Sequence, residues 1–364
     1  HTISISSNNE LYSFGKCKFG SHGHEKVDIK IPTLIKNAKN VKMISGNATH
    51  TSYLTHSGEV YVFGILGDYG NLSITCIPQK IYNIPPCSQI SCGFGFTIFL
   101  TIDHLLYFVG NPIGIVINMS SNYTNNKNFN KNGLIKPVLI EGISNINYVA
   151  CGDDFCICQT LDNKYISFGK NYSGQLGNGS FEPFVPPSMN YLDFPPNIID
   201  IKCGSQHTLL LSNDGNVYYF GGDKYRACYV SEENGANSSI TVPKLVKDIP
   251  EIKRIECGDY NSMCIDINNE LWIYGTSFIT VLSNHIGFVN VSQLNINLRN
   301  IIDISKGNIL FIKTIDNKIY GFDYNRDIYH KLCLMQNDDY SIDNNFLNND
   351  IWNSVVYKNK QKSA

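Results

Sequence analysis

One short phrase recurs along this chain, and it constrains the fold more than anything else in the sequence. Each copy runs from a small residue and Gly, through a hydrophobic strand and a tight turn, into a strand ending aromatic–Gly. The fullest copy is Ile201-Lys202-Cys203-Gly204, then His207-Thr208-Leu209-Leu210-Leu211, Asp214-Gly215 and Val217-Tyr218-Tyr219-Phe220-Gly221. The opening Gly falls at Gly46, Gly93, Gly152, Gly204, Gly258 and Gly307, and the closing position at Gly64, Gly110, Gly169, Gly221, Gly275 and Asp323. The interval between the two is 18, 17, 17, 17, 17 and 16 residues, while the phrase recurs every 46 to 59 residues. A further closing position, Gly15 in Leu11-Tyr12-Ser13-Phe14-Gly15, stands near the start without its opening Gly. A fixed interval inside variable linkers is not chance, and a period of this length made of short strands is a β-propeller signature.

The residue types suit that reading. Period-two alternation between the glycines buries one face of each strand. The connectors Ser57-Gly58, Asn163-Lys164, Asp214-Gly215, Asn268-Asn269 and Asp316-Asn317 read as two-residue turns, because Asn, Asp and Gly tolerate positive φ. The repeated Gly is expected where backbone crowds a central axis. His207-Thr208 recurs as His50-Thr51 and His1-Thr2, which points to a buried, hydrogen-bonded role in the fold. The chain opens in mid-phrase at His1-Thr2, so a fragment or trimmed start is expected, and Ile351–Tyr357 is expected to supply the missing strand and close the ring. Residues 111–136 form an Asn-rich insertion in the third repeat, and residues 336–350 a polar loop before the closing strand.

Composition and motifs narrow the function. A net charge of −2 and a pI near 6.5 do not mark a nucleic-acid binder. Cys92, Cys151, Cys203 and Cys257 each precede the repeated Gly, so they are equivalent positions on different repeats and read as buried small residues. No Cys-x-x-Cys pair occurs, and His22 and His24 have no further ligands in sight, so no metal is expected. No apolar run reaches the length of a membrane span. Phosphate-loop, nucleophile-elbow and His-Glu-x-x-His motifs are missing, so no cofactor and no covalent chemistry are expected. These readings point to a protein-binding surface in a nuclear or cytoplasmic protein, expected as a monomer.

Cys203-Gly204-x-x-His207-Thr208 followed by Val217-Tyr218-x-Phe220-Gly221, together with Gly174-Gln175-Leu176-Gly177, closely resembles the regulator of chromosome condensation family. The resemblance covers nearly the whole chain. It implies a seven-bladed propeller of four-stranded antiparallel blades, a single unit over residues 1–364 with blade closing positions near 15, 64, 110, 169, 221, 275 and 323. The founding member is the exchange factor for the small GTPase Ran, while other members are ubiquitin-ligase modules, ciliary scaffolds, light sensors and enzyme inhibitors, so fold transfers more readily than activity.

In the founding member the exchange residues follow the repeated Gly: acids in the third and fourth repeats, a His in the sixth, and a wedge after the third closing Gly. Here Asp154, beside Asp153, matches the fourth-repeat acid; Phe94 replaces the third-repeat acid; and Asp259-Tyr260 stands where the sixth-repeat His is lost. Asn111, Pro112 and Ile113 occupy the wedge position. The resemblance therefore implies Asp153, Asp154 and Asp259 as exchange residues and Phe94, Asn111, Pro112, Ile113 and Tyr260 as partner contacts. The implied partner is a Ran-type small GTPase, with chromatin association through segments outside the chain. The alternative is a non-catalytic scaffold or regulatory module of a larger protein.

Overall fold

In six repeats the first three strands follow one another closely and pair as antiparallel hairpins, which fixes their order. The computed structural model describes residues 1–15, 20–25, 28–66, 73–110, 136–222, 239–275, 287–294, 300–305, 309–316, 319–323, 332–335 and 355–357. Six inner strands, Val41–Gly46, Cys87–Cys92, Ile146–Cys151, Ile198–Cys203, Ile252–Cys257 and Ile301–Ser305, come first in their repeats. They pair with His50–Thr55, Phe96–Thr101, Phe155–Thr160, His207–Ser212, Asn261–Asp266 and Ile309–Thr314. Third strands follow at Val60–Leu66, Leu106–Gly110, Tyr165–Lys170, Val217–Gly221, Leu271–Gly275 and Ile319–Asp323. Outer strands complete the sheets at Ser73–Lys80, Val138–Leu139, Phe184–Val185, Ile240–Leu245, Val289–Asn290 and Leu332–Met335. The inner strands surround a shared channel of about 1050 Å³. The architecture is an all-β propeller with four-stranded blades.

A further four-stranded sheet joins Thr2–Ile5, Leu11–Gly15 and Ile29–Leu34 to Val355–Tyr357 from the far end of the chain. Val355–Tyr357 pairs parallel to Thr2–Ile5, with Thr2 opposite Val355 and Ser4 opposite Tyr357. The antiparallel expectation therefore fails for this pair. A tight hairpin forces antiparallel pairing, and a strand arriving from a remote segment carries no such constraint.

Two local devices depart from simple alternation. Each of the six inner strands shifts register after its first residue, as between Ile198 and Asp200 or Ile252 and Arg254. That is a bulge, and it leaves Lys42, Ser88, Asn147, Ile199, Lys253 and Ile302 unpaired. The turn between the second and third strands is also longer than read from sequence. The Asn163 amide donates to the Thr160 carbonyl (3.0 Å) and the Thr160 amide to the Lys164 carbonyl (2.8 Å), which encloses three residues rather than two. The third is left-handed: φ is 62° at His104, 59° at Asn163, 77° at Gly215 and 65° at Asn269. The residue before the turn holds it from the side chain: Thr55, Thr101 and Thr160 Oγ1 accept the amides of Glu59, Leu105 and Lys164 at 3.1, 3.2 and 3.0 Å.

Blades are fastened to one another by the repeated polar residues. His1 Nε2 meets Thr51 Oγ1 at 3.0 Å, and His50 Nε2 meets Thr97 Oγ1 at 2.8 Å, so the His-Thr phrase ties the second strands of the first and second repeats to the repeat that follows. The inner strands carry a second tie. The thiols of Cys92, Cys203 and Cys257 donate to the carbonyls of Ser45, Ala150 and Lys202 in the preceding repeat, at 3.2, 3.8 and 3.5 Å. Between blades lie apolar clusters such as Phe96, Ile98 and Leu100 against Ile146, Val149 and Phe168. His22, completely buried, sits in this framework, and its carbonyl accepts the Ser13 hydroxyl at 2.6 Å.

Candidate partner-binding face

The strands place the repeated Gly and its following residues at one mouth of the channel. Glycine is dictated there by space. A Cβ on Gly152 would lie 2.0 Å from Phe155 Cε1 and 2.6 Å from the Gly204 carbonyl oxygen, and a Cβ on Gly204 would lie 2.6 Å from that of Gly258. Consecutive repeats thus abut glycine on carbonyl, which draws the residues that follow them close together.

In the second to sixth repeats the first residue after the Gly joins a chain of hydrogen bonds at this mouth. The Asp153 carboxylate accepts Asn47 Nδ2 at 3.3 Å and Ser205 Oγ at 2.5 Å. Its carbonyl accepts the Phe94 amide at 2.8 Å, and the Ser205 amide donates to the Asp259 carbonyl at 3.2 Å. Residues from the second to the sixth repeats are thereby linked, with Asp153 as the hub. Asn47 and Ser205 are both buried, and neither stood out in the sequence. The signal that finds them is their slot: each directly follows a repeated Gly, as Asp153 does.

Asp154 points into a different contact. Its carboxylate pairs with Lys170 Nζ at 2.9 Å, and its carbonyl accepts the Lys170 amide at 2.9 Å, so the fourth repeat neutralises its own acid. The pair is partly exposed, where such bridges contribute at most about 1 kcal/mol, so a competing cation displaces Lys170 at little cost. Tyr260, 42% exposed, projects beside Asp259, and Phe94 is half-buried. The structure thus groups Asp153, Phe94 and Asp259 through backbone and side-chain bonds, and sets Asp154 with Lys170. Asn111, Pro112 and Ile113 lie outside the described residues.

Two exposed aromatics on this face were missed in the sequence. Tyr172 and Phe181, 60% and 53% exposed, ride on the segment after Lys170. The buried Asn171 orders that segment: its Nδ2 donates to the Ser180 carbonyl (2.9 Å) and its Oδ1 accepts the Leu176 amide (3.1 Å). Gln206 reaches the same segment, accepting the Ser173 hydroxyl at 3.1 Å.

Two of the cations that line the channel are paired. Lys202 pairs with Asp200 at 3.2 Å, and Arg254 pairs with Asp303. Burial opposes the charge of Lys202, but Tyr148, Glu256 and Asp200 hold its pKa above the usual lysine value. Burial raises Asp303 above the ordinary carboxylate range despite Arg254. No group of three or more His, Cys, Asp or Glu that could hold a metal occurs among the described residues, and no helix among them is long and apolar enough to cross a membrane.

Comparison with known proteins agrees with the fold. The sequence pattern described as "Regulator of chromosome condensation (RCC1) repeat" fits residues 163–211, and a second pattern of the same description fits residues 198–226. The human regulator of chromosome condensation is 22% identical over 296 residues, covering 76% of this chain and 70% of that protein. The guanine nucleotide exchange factor SRM1 of Saccharomyces cerevisiae is 25% identical, covering 61% of this chain and 50% of that protein. The human E3 ubiquitin-protein ligase HERC2 is 26% identical over 61% of this chain, but the match spans only 5% of that much longer protein. Among solved structures, Prp20p from Saccharomyces cerevisiae superposes with a TM-score of 0.71 at 19% identity, covering 84% of this chain and 78% of that one; the report of that structure describes its binding to Gsp1p and histones. Repeat patterns, relatives and architecture agree: the chain is an all-β propeller that resembles the regulator of chromosome condensation and carries repeats of that description over residues 163–226.

Proposed function

We propose that this propeller binds a partner protein at the channel mouth bearing Asp153, Asp154, Asp259 and Tyr260, and that the partner is a Ran-type small GTPase whose nucleotide exchange it promotes. The supporting observation is the ordered bridge Asn47–Asp153–Ser205, continued by the Ser205 amide to Asp259, which presents acids from separate repeats on one fixed platform. An exchange factor breaks no covalent bond. It favours a GTPase conformation that holds nucleotide weakly, and its effect is limited by its differential affinity for the two states. Asp154 fits that task because its lysine partner is exchangeable for a lysine of the GTPase. One relative, SRM1 of Saccharomyces cerevisiae, is a guanine nucleotide exchange factor by name.

We further propose that the sheet joining Thr2–Ile5 to Val355–Tyr357 acts as a seventh blade and closes one ring over residues 1–364, with closing positions at Gly15 through Asp323. The strand Val355–Tyr357 lies beside both Val41–Gly46 and Ile301–Ser305, which suits closure. In this reading the protein works as a monomer in the nucleus or cytoplasm, and any chromatin association depends on further segments.

The match to a small part of HERC2 favours a second reading, a non-catalytic binding module within a larger protein. Release of a fluorescent GDP analogue from a Ran-type GTPase, in excess unlabelled nucleotide, separates the two. Exchange predicts acceleration by about tenfold or more, reduced in Asp154→Ala and Ser205→Ala proteins whose melting is unchanged. A well-folded protein that accelerates nothing would leave the module reading standing.

A further inference from the structure

The face opposite the Asp153–Asp154 tip carries an arc of exposed apolar side chains that the fold does not require. Strands of six residues separate the two faces: Cys151 and Cys156 pair at one end of the fourth-repeat hairpin, Ile146 and Thr160 at the other. Two positions in each repeat crowd that second end. One is the unpaired bulge residue of the inner strand; the other is the first residue of the three-residue turn.

In the third, fourth, sixth and seventh repeats the turn residue is Ile102, Leu161, Ile267 or Ile315, exposed by 56%, 49%, 51% and 62%. In the fifth and seventh repeats the bulge residue is Ile199 or Ile302, exposed by 63% and 37%, and both border the channel. Where the turn is polar, at Asn213, the bulge is apolar, at Ile199; where the bulge is polar, at Ser88, Asn147 or Lys253, the turn is apolar. Five consecutive repeats therefore each show a large aliphatic side chain to water. The arc ends at the second repeat, whose two positions are Lys42 and His56.

The side chains are held in place. The amides of Ile102, Leu161, Ile267 and Ile315 donate to the carbonyls of Pro86, Asn145, Glu251 and Asn300 at 2.9, 2.8, 3.1 and 2.8 Å, so every turn is docked on the loop that enters its inner strand. Single exposed aliphatics are ordinary on a protein surface, but here they recur at the same end of five consecutive repeats and so make an arc. The next residue along each turn fixes the chemistry of what covers this one: Asp103, Asp162, Asp214 and Asp316 follow the turn position in four of the five repeats. Hydroxyls from Thr160 and Thr314 donate to Asp162 and Asp316 at 2.5 Å, and Ser212 donates to Asp214. Lys164 pairs with Asp162 at 2.9 Å and Lys253 bonds Asn269, so at Asp162 a cation of the partner replaces Lys164 from an exposed pair, which yields at little cost.

We propose that this arc docks a segment of a partner protein in which apolar side chains alternate with lysine or arginine. The aliphatic residues seat the apolar anchors, and the rim of aspartates receives the flanking cations. The surface is separate from the exchange face and does not depend on the function proposed for it.

The probe is a short fluorescein-labelled peptide of alternating Leu and Lys, with Leu–Glu and Ser–Lys peptides of equal length as controls, read by anisotropy on the full chain. The Leu–Lys peptide is expected to bind about tenfold or more tightly than either control. A Leu161→Ser/Ile199→Ser protein should lose at least about tenfold, Asp162→Asn/Asp214→Asn should lose affinity along with much of its salt dependence, and Ile77→Ser, on an outer strand, should bind as the parent does. Should the Leu161/Ile199 protein melt early, Ile102→Ser/Ile315→Ser supplies the same test. Equal binding of all three peptides, or undiminished binding by the serine variants, would overturn the proposal. So would sedimentation showing a dimer that Ile199→Glu dissolves, since the arc would then belong to a second copy.

Discussion

Gly204 shows what a single residue decides in this ring. A methyl group there would lie 2.1 Å from His207 Cε1 and 2.6 Å from the Gly258 carbonyl oxygen. Neither neighbour has room to retreat, because His207 is completely buried and Gly258 opens the next repeat. Gly204→Ala is expected to destabilise the fold by about 2 kcal/mol or more, as overpacking does. Gly179 is the contrast. Its φ is +76°, yet the nearest atom to an added Cβ is Val242 Cγ1 at 3.8 Å, so Gly179→Ala bears only left-handed backbone strain of about 1 kcal/mol. Urea midpoints at unchanged m-value measure both. If Gly179→Ala proved the more damaging, steric contact between repeats would not be what selects glycine at the channel mouth.

At the scale of the element, the second-to-third-strand turns link stability to acid. Thr160 donates to Asp162 and Ser212 to Asp214, and these hydrogen bonds hold both carboxyls below their usual range. A carboxyl depressed in the folded state stabilises fully above its unfolded pKa of about 3.9 and loses that contribution as pH falls through the folded value. The parent and Asp162→Asn/Asp214→Asn proteins should therefore show parallel melting temperatures from neutral pH down to about pH 5. Below that the gap between them should narrow, because only the parent still has these carboxylates to protonate. A constant gap down to the acid limit would remove the turns from the acid response. These turns also mark where sequence reading stops. Asn, Asp and Gly announce a turn, but the same letters serve two- and three-residue loops, and the Thr160 hydroxyl settles the difference only in three dimensions. The inner-strand bulges are likewise silent in the sequence, since Ile199 reads as one more strand residue. The repeat itself was legible because its glycines answer to sterics that recur in every copy. The bridge through Asn47 and Ser205 was not, because it joins different residue types from different repeats.

At the scale of the whole molecule, the proposed closure of the ring rests on one pair of strands. Thr2–Ile5 occupies the second-strand place of its sheet, and the place inside it is taken by Val355–Tyr357. Without that strand, one edge of Thr2–Ile5 presents unpaired backbone groups in the midst of the ring, where His1 also bonds Ser21 and Thr51. Sheet edges left open invite pairing with other chains. Deleting residues 351–364 is therefore expected to do two things that a merely frayed terminus would not. It should lower the melting temperature of the entire ring by several degrees, about 2–4 °C for each 1 kcal/mol lost in a chain above 150 residues, and it should produce concentration-dependent oligomers. Hydrogen exchange locates the effect: Thr2–Ile5 should lose protection first, ahead of the well-paired fifth repeat at His207–Ser212. If the shortened chain melted like the parent and kept Thr2–Ile5 protected, the terminal strand would be an accessory to a ring that closes without it. The proposed partner-binding face and the apolar arc would then need only the six blades whose strands follow one another along the chain.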